Sequence, residues 1–452
     1  MPFLSDSFSD SGCGGAEIMR CRLCLAAMPI TALVGMASFA GPLDPPASPV
    51  STAGPEPRIE INATNTPGDD NSLFRITEPG SYYLASSVSG ETAKHGIEIA
   101  SDNVTIDLMG FEVRGGPGSF SGVTIDGLVP TSLQGISVRN GTASGWGIDG
   151  FDLNLSIGAV LQNLQSHDNG RNGIWAGNSS TVENCTASTN GQSGIETRGL
   201  STVRNCTTRS NESGFSVGDL SVVQGCTAGL HTFTGFFGSA RSLFSQCTST
   251  NNTGGGFRTE SRGVFVECVS TGTQGDGIAS GAGGFIDRCT VMSSGSIGIS
   301  AGSDSVVSQC RVLSGLDDAI NVGANSTVSQ CVATDNNGDG IQLSAGSTAI
   351  NNTCTDNGDG VTLGAGIRVT GTGNVVESNT LRANRLGITV PGMSNIIIRN
   401  RCQDNTVLNF DIGINNYYGP VIDRVGVSTG FASGNSALGT LTTTDPNANF
   451  AY

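Results

Sequence analysis

The sequence predicts an all-β chain wound as a parallel β-helix, and three observations carry that prediction. The first is a period. Cys185, Cys206, Cys226, Cys247, Cys268, Cys289, Cys310 and Cys331 follow one another at 21 residues, with a single step of 20. The second is what travels with the period. An apolar row (Val182, Val203, Val223, Phe244, Phe265, Ile286, Val307, Val328) precedes the cysteines by three residues. Another row runs from Ile174 and Ile195 through Ile320 and Ile341 to Val361 and Ile388, nearly always preceded by Gly. The third is texture: short apolar runs alternate with period two, divided by Gly, Asn, Asp and Ser, and no segment has helical spacing. One such unit cannot bury its own apolar face, whereas stacked units bury it against the same side chain one turn on. Strands in register lie ~4.8 Å apart, so the twelve levels from Leu164 to Asn400 imply 12 or more coils of about 21 residues and a rod at least ~50 Å long.

The elements follow in chain order. Met19 to Ala40 holds two arginines, Arg20 and Arg22, then an apolar run closing on Ser38-Phe39-Ala40, the pattern of a secretory signal. Residues 1–40 therefore read as leader and signal, with Met19 as the true start, and the mature protein as exported, to the periplasm, cell surface or medium, without a membrane span. Residues 41–57, with six prolines, read as a linker. Residues 58–90 are expected to cap the rod, 91–412 to form its coils, and 413–452 to cover the other end, because bare strand edges invite polymerisation. The 27-residue step from Asn352 to Asn379 predicts a loop bulging at about 362–372.

Phrases such as Asn351-Asn352-Thr353-Cys354-Thr355-Asp356-Asn357-Gly358 and Asn379-Thr380-Leu381-Arg382-Ala383-Asn384-Arg385-Leu386-Gly387-Ile388 resemble the degenerate repeat of the right-handed parallel β-helix, or pectin-lyase-like, superfamily. Phe74-Arg75-Ile76-Thr77-Glu78-Pro79-Gly80 and Asn103-Val104-Thr105-Ile106-Asp107-Leu108 are similar to the entry coils of its secreted bacterial members. The resemblance covers about residues 90–412. It implies a single-stranded right-handed parallel β-helix, and a setting in which polysaccharide lyases, polygalacturonase-like hydrolases and epimerases occur beside proteins of other roles.

Composition narrows the function. Of 452 residues 66 are Gly, and 38 acids against 22 bases leave a formal charge of −16, with Lys94 the only lysine. An acidic, lysine-poor chain is unsuited to gripping nucleic-acid phosphates. The glycine excess is expected at corners where the backbone needs φ > 0. Buried as a stack, the cysteines pack as small hydrophobes, although a ~4.8 Å ladder also falls within disulfide reach. Asn352, Asn379 and Asn400 continue the cysteine row and read as a ladder that satisfies backbone groups.

Chemistry is expected where carboxylates stack. Asp276, Asp318 and Asp339 each lie eight residues past a cysteine, and Asp359 matches them after a one-residue deletion. Like charges one coil apart either hold a cation or raise one pKa, as a general acid requires. Asp317, Asp318 and Asp339 are thus the catalytic candidates. Asp318, Asp335, Asp339, Asp356 and Asp359 are candidate ligands for Ca²⁺, with no cofactor otherwise required. Gly315-Leu316-Asp317-Asp318 resembles the Gly-Asp-Asp segment of polygalacturonases, which implies an acid and a water-activating carboxylate at Asp317 and Asp318. The companion Asn-Thr-Asp is lacking one coil earlier, where Ser296 stands. Arg311 and Trp175 are candidates for contacting substrate, the indole by stacking on a sugar. The expected partner is an extracellular or cell-surface polysaccharide, bound without established catalysis. A lyase or glycoside hydrolase built on Asp317, Asp318, Asp339 and Asp359, or a purely structural rod, are the alternatives.

Overall fold

The computed structural model describes residues 58–128, 132–358, 364–423 and 444–451. The expected signal and linker, and Asp359 and Val361, lie outside the described residues. Every regular element in these segments is a β-strand, and every ladder between strands is parallel. No helix among them is long and apolar enough to cross a membrane.

One coil shows the plan. Ile174–Asn178 runs along one face, Thr181–Glu183 along a second and Thr186–Ser188 along a third, and Ser193–Thr197 then lies beside Ile174–Asn178. We call the faces of Thr181–Glu183, Thr186–Ser188 and Ile174–Asn178 the first, second and third strips. The third strip and its equivalents form a sheet of 17 strands among the described residues. Each short strand offers its central or flanking apolar residue inward, and Thr, Val and Ser elsewhere favour the extended chain.

The inner rows are those the period marks. Val203, Val223, Phe244, Phe265, Ile286 and Val307 pair in register on the first strip, and all are fully buried. On the third strip the repeat distance becomes a ring distance: Phe215, Phe236 and Phe257 stack at 4.8 and 4.7 Å, within 7° of parallel. Phe236 meets Phe244 of the first strip edge-on at 5.8 Å, closing the core between faces.

One device recurs at the corners. A residue in the left-handed region is followed by a buried polar or thiol side chain that accepts the backbone N–H of the equivalent residue one coil before. Between the first and second strips Cys185 donates its N–H to Cys206 Sγ at 3.4 Å, and Asn352 and Asn379 donate theirs to Asn379 and Asn400 Oδ1 at 2.9 and 3.0 Å. The asparagine ladder is therefore present, and it runs on to Asn449. After the second strip a further ladder links Asn169, Asn190, Asn211, His231 and Asn252. After the third strip the same place is held by serines, then by Asn374 and Asn395. The ten cysteines of the described residues are buried free thiols, and the Sγ–H groups of the eight from Cys185 to Cys331 point at carbonyls, as in Cys206 to Arg204 O at 3.1 Å.

The glycine expectation needs correction. Among the described residues 35 positive-φ positions are not glycine and 11 are, so Asn, Ser, Asp and even Leu turn most corners. The glycine that precedes most inward Ile and Phe residues of the third strip is needed for closeness instead. A Cβ on Gly298 would lie 2.3 Å from Val312 Cγ1 and 2.6 Å from the carbonyl of Ala319. The third strip presses so tightly on the second strip and the next coil that a methyl group has no room.

Two boundaries move. Ile341 pairs with Ile367, not with Val361, and Ala365–Val369 is a strand, so the extra residues of the long coil precede the third strip rather than spanning 362–372. Gly360-Val361 imitates the Gly-Ile signature that Gly366-Ile367 fulfils. At the ends, the segments read as caps carry coils of their own. Ser72–Ile76 pairs with His95–Ile99, and Asn449–Ala451 fits between Arg401–Gln403 and Val421–Asp423, out of chain order.

Candidate functional site

Two residues before each inward residue of the third strip is a position whose side chain reaches back along the corner. Asp149, Asn172, Asp276, Asp318 and Asp339 occupy it, and each accepts the backbone N–H of its equivalent one coil on. The distances are 2.7 Å for Asp149, 3.2 Å for Asp276, 2.8 Å for Asp318 to Asp339 N–H, and 2.6 Å for Asp339 to Ala365 N–H. The aspartate column thus runs opposite to the asparagine ladders: each carboxylate accepts from the coil that follows it, where each ladder amide accepts from the coil before. The level above Asp339 is filled by Ala365, so the column ends there.

The outward row of the third strip runs beside it. Ala279, Ser300, Asn321, Gln342, Arg368 and Thr389 stand on successive coils in register. Asn321 Nδ2 and Gln342 Nε2 donate to Asp318 Oδ2 at 3.3 and 2.8 Å, and Arg368 Nε donates to Asp339 Oδ2 at 2.5 Å. Asp318, Asp339 and Arg368 line an open cavity of about 150 Å³ with Leu316, Asp317, Gly338 and Gly364 at its rim. Burial pushes the Asp339 carboxyl up to about 6, Arg368 opposing and Asp318 reinforcing the shift. Burial also raises Asp318, where the Asp339 N–H opposes and exposed Asp317 adds to the rise.

The candidates divide accordingly. Asp317, Asp318 and Asp339 come together, with Asp317 at the exposed rim. Asp335 and Asp356 do not join them: both are exposed in left-handed corners on the far side of buried Asn336 and Asn357, and Asp335 accepts from Ser314 Oγ at 3.0 Å. Among the described residues no three His, Cys, Asp or Glu side chains converge as metal ligands. Arg311 is on the second strip, between Thr290 and Val332, and faces elsewhere. Trp175 shares the outward row of the third strip, flanked by Asp152 and Glu196, but eight coils, ~38 Å, from Gln342. The Arg171 guanidinium lies 5.5 Å over its ring, and burial with nearby Asp149 pushes Asp152 up to about 6.

Arg368 is the residue that sequence reasoning misses. It faces the aspartate column across 29 residues, because the long coil shifts it out of the 21-residue register. Its signal is the Gly366-Ile367 pair just before it.

With fold and site in hand, the family is plain. The chain belongs to the right-handed β-helix family, whose pattern it matches over residues 86–300 and 235–366. No curated relative matches the sequence. Solved structures similar to it include the A-module of a mannuronan C-5 epimerase from Azotobacter vinelandii, at 15% identity over 75% of this chain and 90% of that one, TM-score 0.38. Others are the receptor-binding domain of the siphovirus 9NA tailspike (11%, 82% and 72%, TM-score 0.38) and an N-terminal fragment of bacteriophage phi29 gene product 12 (11%, 77% and 86%, TM-score 0.40).

Proposed function

We propose that this chain is an exported β-helix protein that binds extracellular or cell-surface polysaccharide on the outer face of its third strip, with Asp318, Asp339 and Arg368 at the centre. The observation that carries the reading is the outward row Asn321, Gln342, Arg368 set against the two buried carboxyls. Planar amides, a guanidinium fork and carboxyl oxygens side by side match the mixed donors and acceptors of sugar hydroxyls. They sit on a rigid sheet rather than on a loop, so little ordering opposes binding. Both carboxyls already accept several hydrogen bonds, which favours holding a ligand over delivering a proton.

One observation favours a second reading, a lyase or glycoside hydrolase. A carboxyl at about 6 is half protonated in the range where a general acid is useful. A panel of polyuronates and neutral glycans, with and without Ca²⁺, separates the two by reading binding, unsaturated products and reducing ends together. The expected result is binding that falls at least tenfold in Arg368→Ala and in Asp339→Asn, without product. Product that disappears in Asp318→Asn/Asp339→Asn would establish the enzyme. Binding indifferent to all these substitutions, or no binding to any glycan, would leave the rod as a structural element and end the proposal.

A further inference from the structure

A second cavity lies on the same strip, nearer the N-terminal end. It has a volume of about 620 Å³ and is bordered by Phe233, Phe237, Arg258, Glu260, Asp276 and Ala279. Its make-up differs from that of the carboxylate pocket. Phe233 is a corner residue with 53% of its surface exposed, whereas the phenylalanines one strip inward are fully buried. The two coils that follow carry only glycine at its position: Gly254 N–H donates to Phe233 O at 2.8 Å and Gly275 N–H to Gly254 O at 3.0 Å. At that position neither coil has a side chain to lay over the ring. Next to Gly254, a Cβ on Gly255 would meet only the carbonyl of Asp276 at 3.2 Å, so the floor is bare backbone. Phe237 and Arg258 stand on adjacent levels of the outward row, and small Ala279 and Ser300 follow. An exposed aromatic ring beside a bare floor, with a guanidinium and two carboxylates around it, suits a ring that is apolar on one face and polar at its edge.

The two cavities share one line. Arg258, Ala279, Ser300, Asn321, Gln342 and Arg368 are consecutive in register, so the two arginines stand five coils, ~24 Å, apart along the rod axis. We infer that the Phe233–Phe237–Arg258 cavity is a second subsite for the same glycan, and that the ligand is a linear polysaccharide lying along the axis and long enough to bridge ~24 Å. This rests on the glycan reading above.

The test uses the full chain and a size-graded series of oligosaccharides from whichever glycan the wild type binds, from disaccharide to 16-mer, measured by calorimetry. Affinity should rise in a step once the oligomer spans both cavities, because the second contact becomes intramolecular. Phe233→Ala/Phe237→Ala should abolish the step, weakening long oligomers at least tenfold while leaving short ones unchanged. Phe233→Ser, at an exposed corner, serves as a second variant, and an unchanged melting temperature verifies the fold of both. If long oligomers bind these variants as they bind wild type, the second subsite is wrong while the glycan reading stands. If no glycan of any length binds wild type, the glycan reading fails and takes this inference with it.

Discussion

His231 shows how much one side chain decides in a ladder. It stands where neighbouring coils place Asn, its Nδ1 accepting Asn211 N–H at 3.1 Å and its Nε2 meeting Thr208 Oγ1 at 3.1 Å. Nδ1 must stay unprotonated to accept, and burial pushes the imidazole down to about 4. A histidine whose folded pKa is depressed supplies stability above its unfolded value near 6.5, and that stability drains away as pH falls toward 4. The full difference is about 3 kcal/mol. His231→Asn keeps the acceptor and removes the titration, so its melting temperature relative to wild type should rise between pH 7.5 and pH 4.5. An equal offset at both pH values would show that the imidazole is not the linked group. Asn379 carries a simpler load. Asn379→Ala leaves the Asn352 N–H buried and unpaired, costing about 2 to 3 kcal/mol in denaturant unfolding, whereas Asn379→Cys, the residue eight other coils use there, should recover much of it. In the candidate site the Arg368 charge opposes the rise of Asp339. Arg368→Met should move the Asp339 titration midpoint further above 6, and a carbon-detected titration that stays put would dissociate the pair.

At the scale of the element, what could be read from the chain depends on whether a structural need is met by one residue type or by several. The inner rows and the first-corner ladder are legible because Val, Ile, Phe, Cys and Asn recur at a fixed spacing. The ladder after the second strip is not, because His231, Thr273, Ser294 and Gly315 stand among its asparagines. The Asp318–Asp339 pair is legible for the same reason the cysteines are. Arg368 is hidden by the long coil, where Gly360-Val361 presents the expected signal six residues too early. The glycines before the inward row are visible, but their cause is not: positive φ and close approach both select Gly, and only the packing distinguishes them. That packing predicts an asymmetry. Gly298→Ala must displace Val312 and should lower the stability by about 2 kcal/mol, while Ala319→Gly, at a level that already holds a methyl group, should cost about 1 kcal/mol or less. Equal effects would mean the strips give way more easily than their distances suggest.

For the whole molecule, the excess of acids is spread along the rod rather than gathered at the cavities, where Arg258 and Arg368 stand among the carboxylates. The stack of thiols is a second property of the entire solenoid. The ten buried free cysteines of the described residues should be closed to a thiol reagent in the native protein, and all ten should react after denaturation without reductant. A lower count in the denatured state would reveal bridges along the stack. The ends are the remaining weakness of a rod whose strands are open above and below. Deleting residues 444–452 would uncover Arg401–Gln403 and leave the Asn400 N–H without Asn449, and light scattering should then detect larger particles than the full chain forms. An unchanged size distribution would mean that another segment protects this edge.

That inserted strand also sets an order of events. Elsewhere a coil can settle as soon as the next 20 to 30 residues exist, as Asn379 does on Asn400 at a separation of 21. Asn400 must wait for Asn449, 49 residues later, and Val421–Asp423 has its place beyond a strand not yet made. A nascent rod can therefore lengthen turn by turn while it is being synthesised, and Leu408–Ile412 and Tyr417–Tyr418 still settle in order on the third and first strips, yet the second strip stays open at Arg401–Gln403. Residues 449–451 act as a latch in time: until they emerge, the unfinished end remains available to any other extended chain nearby.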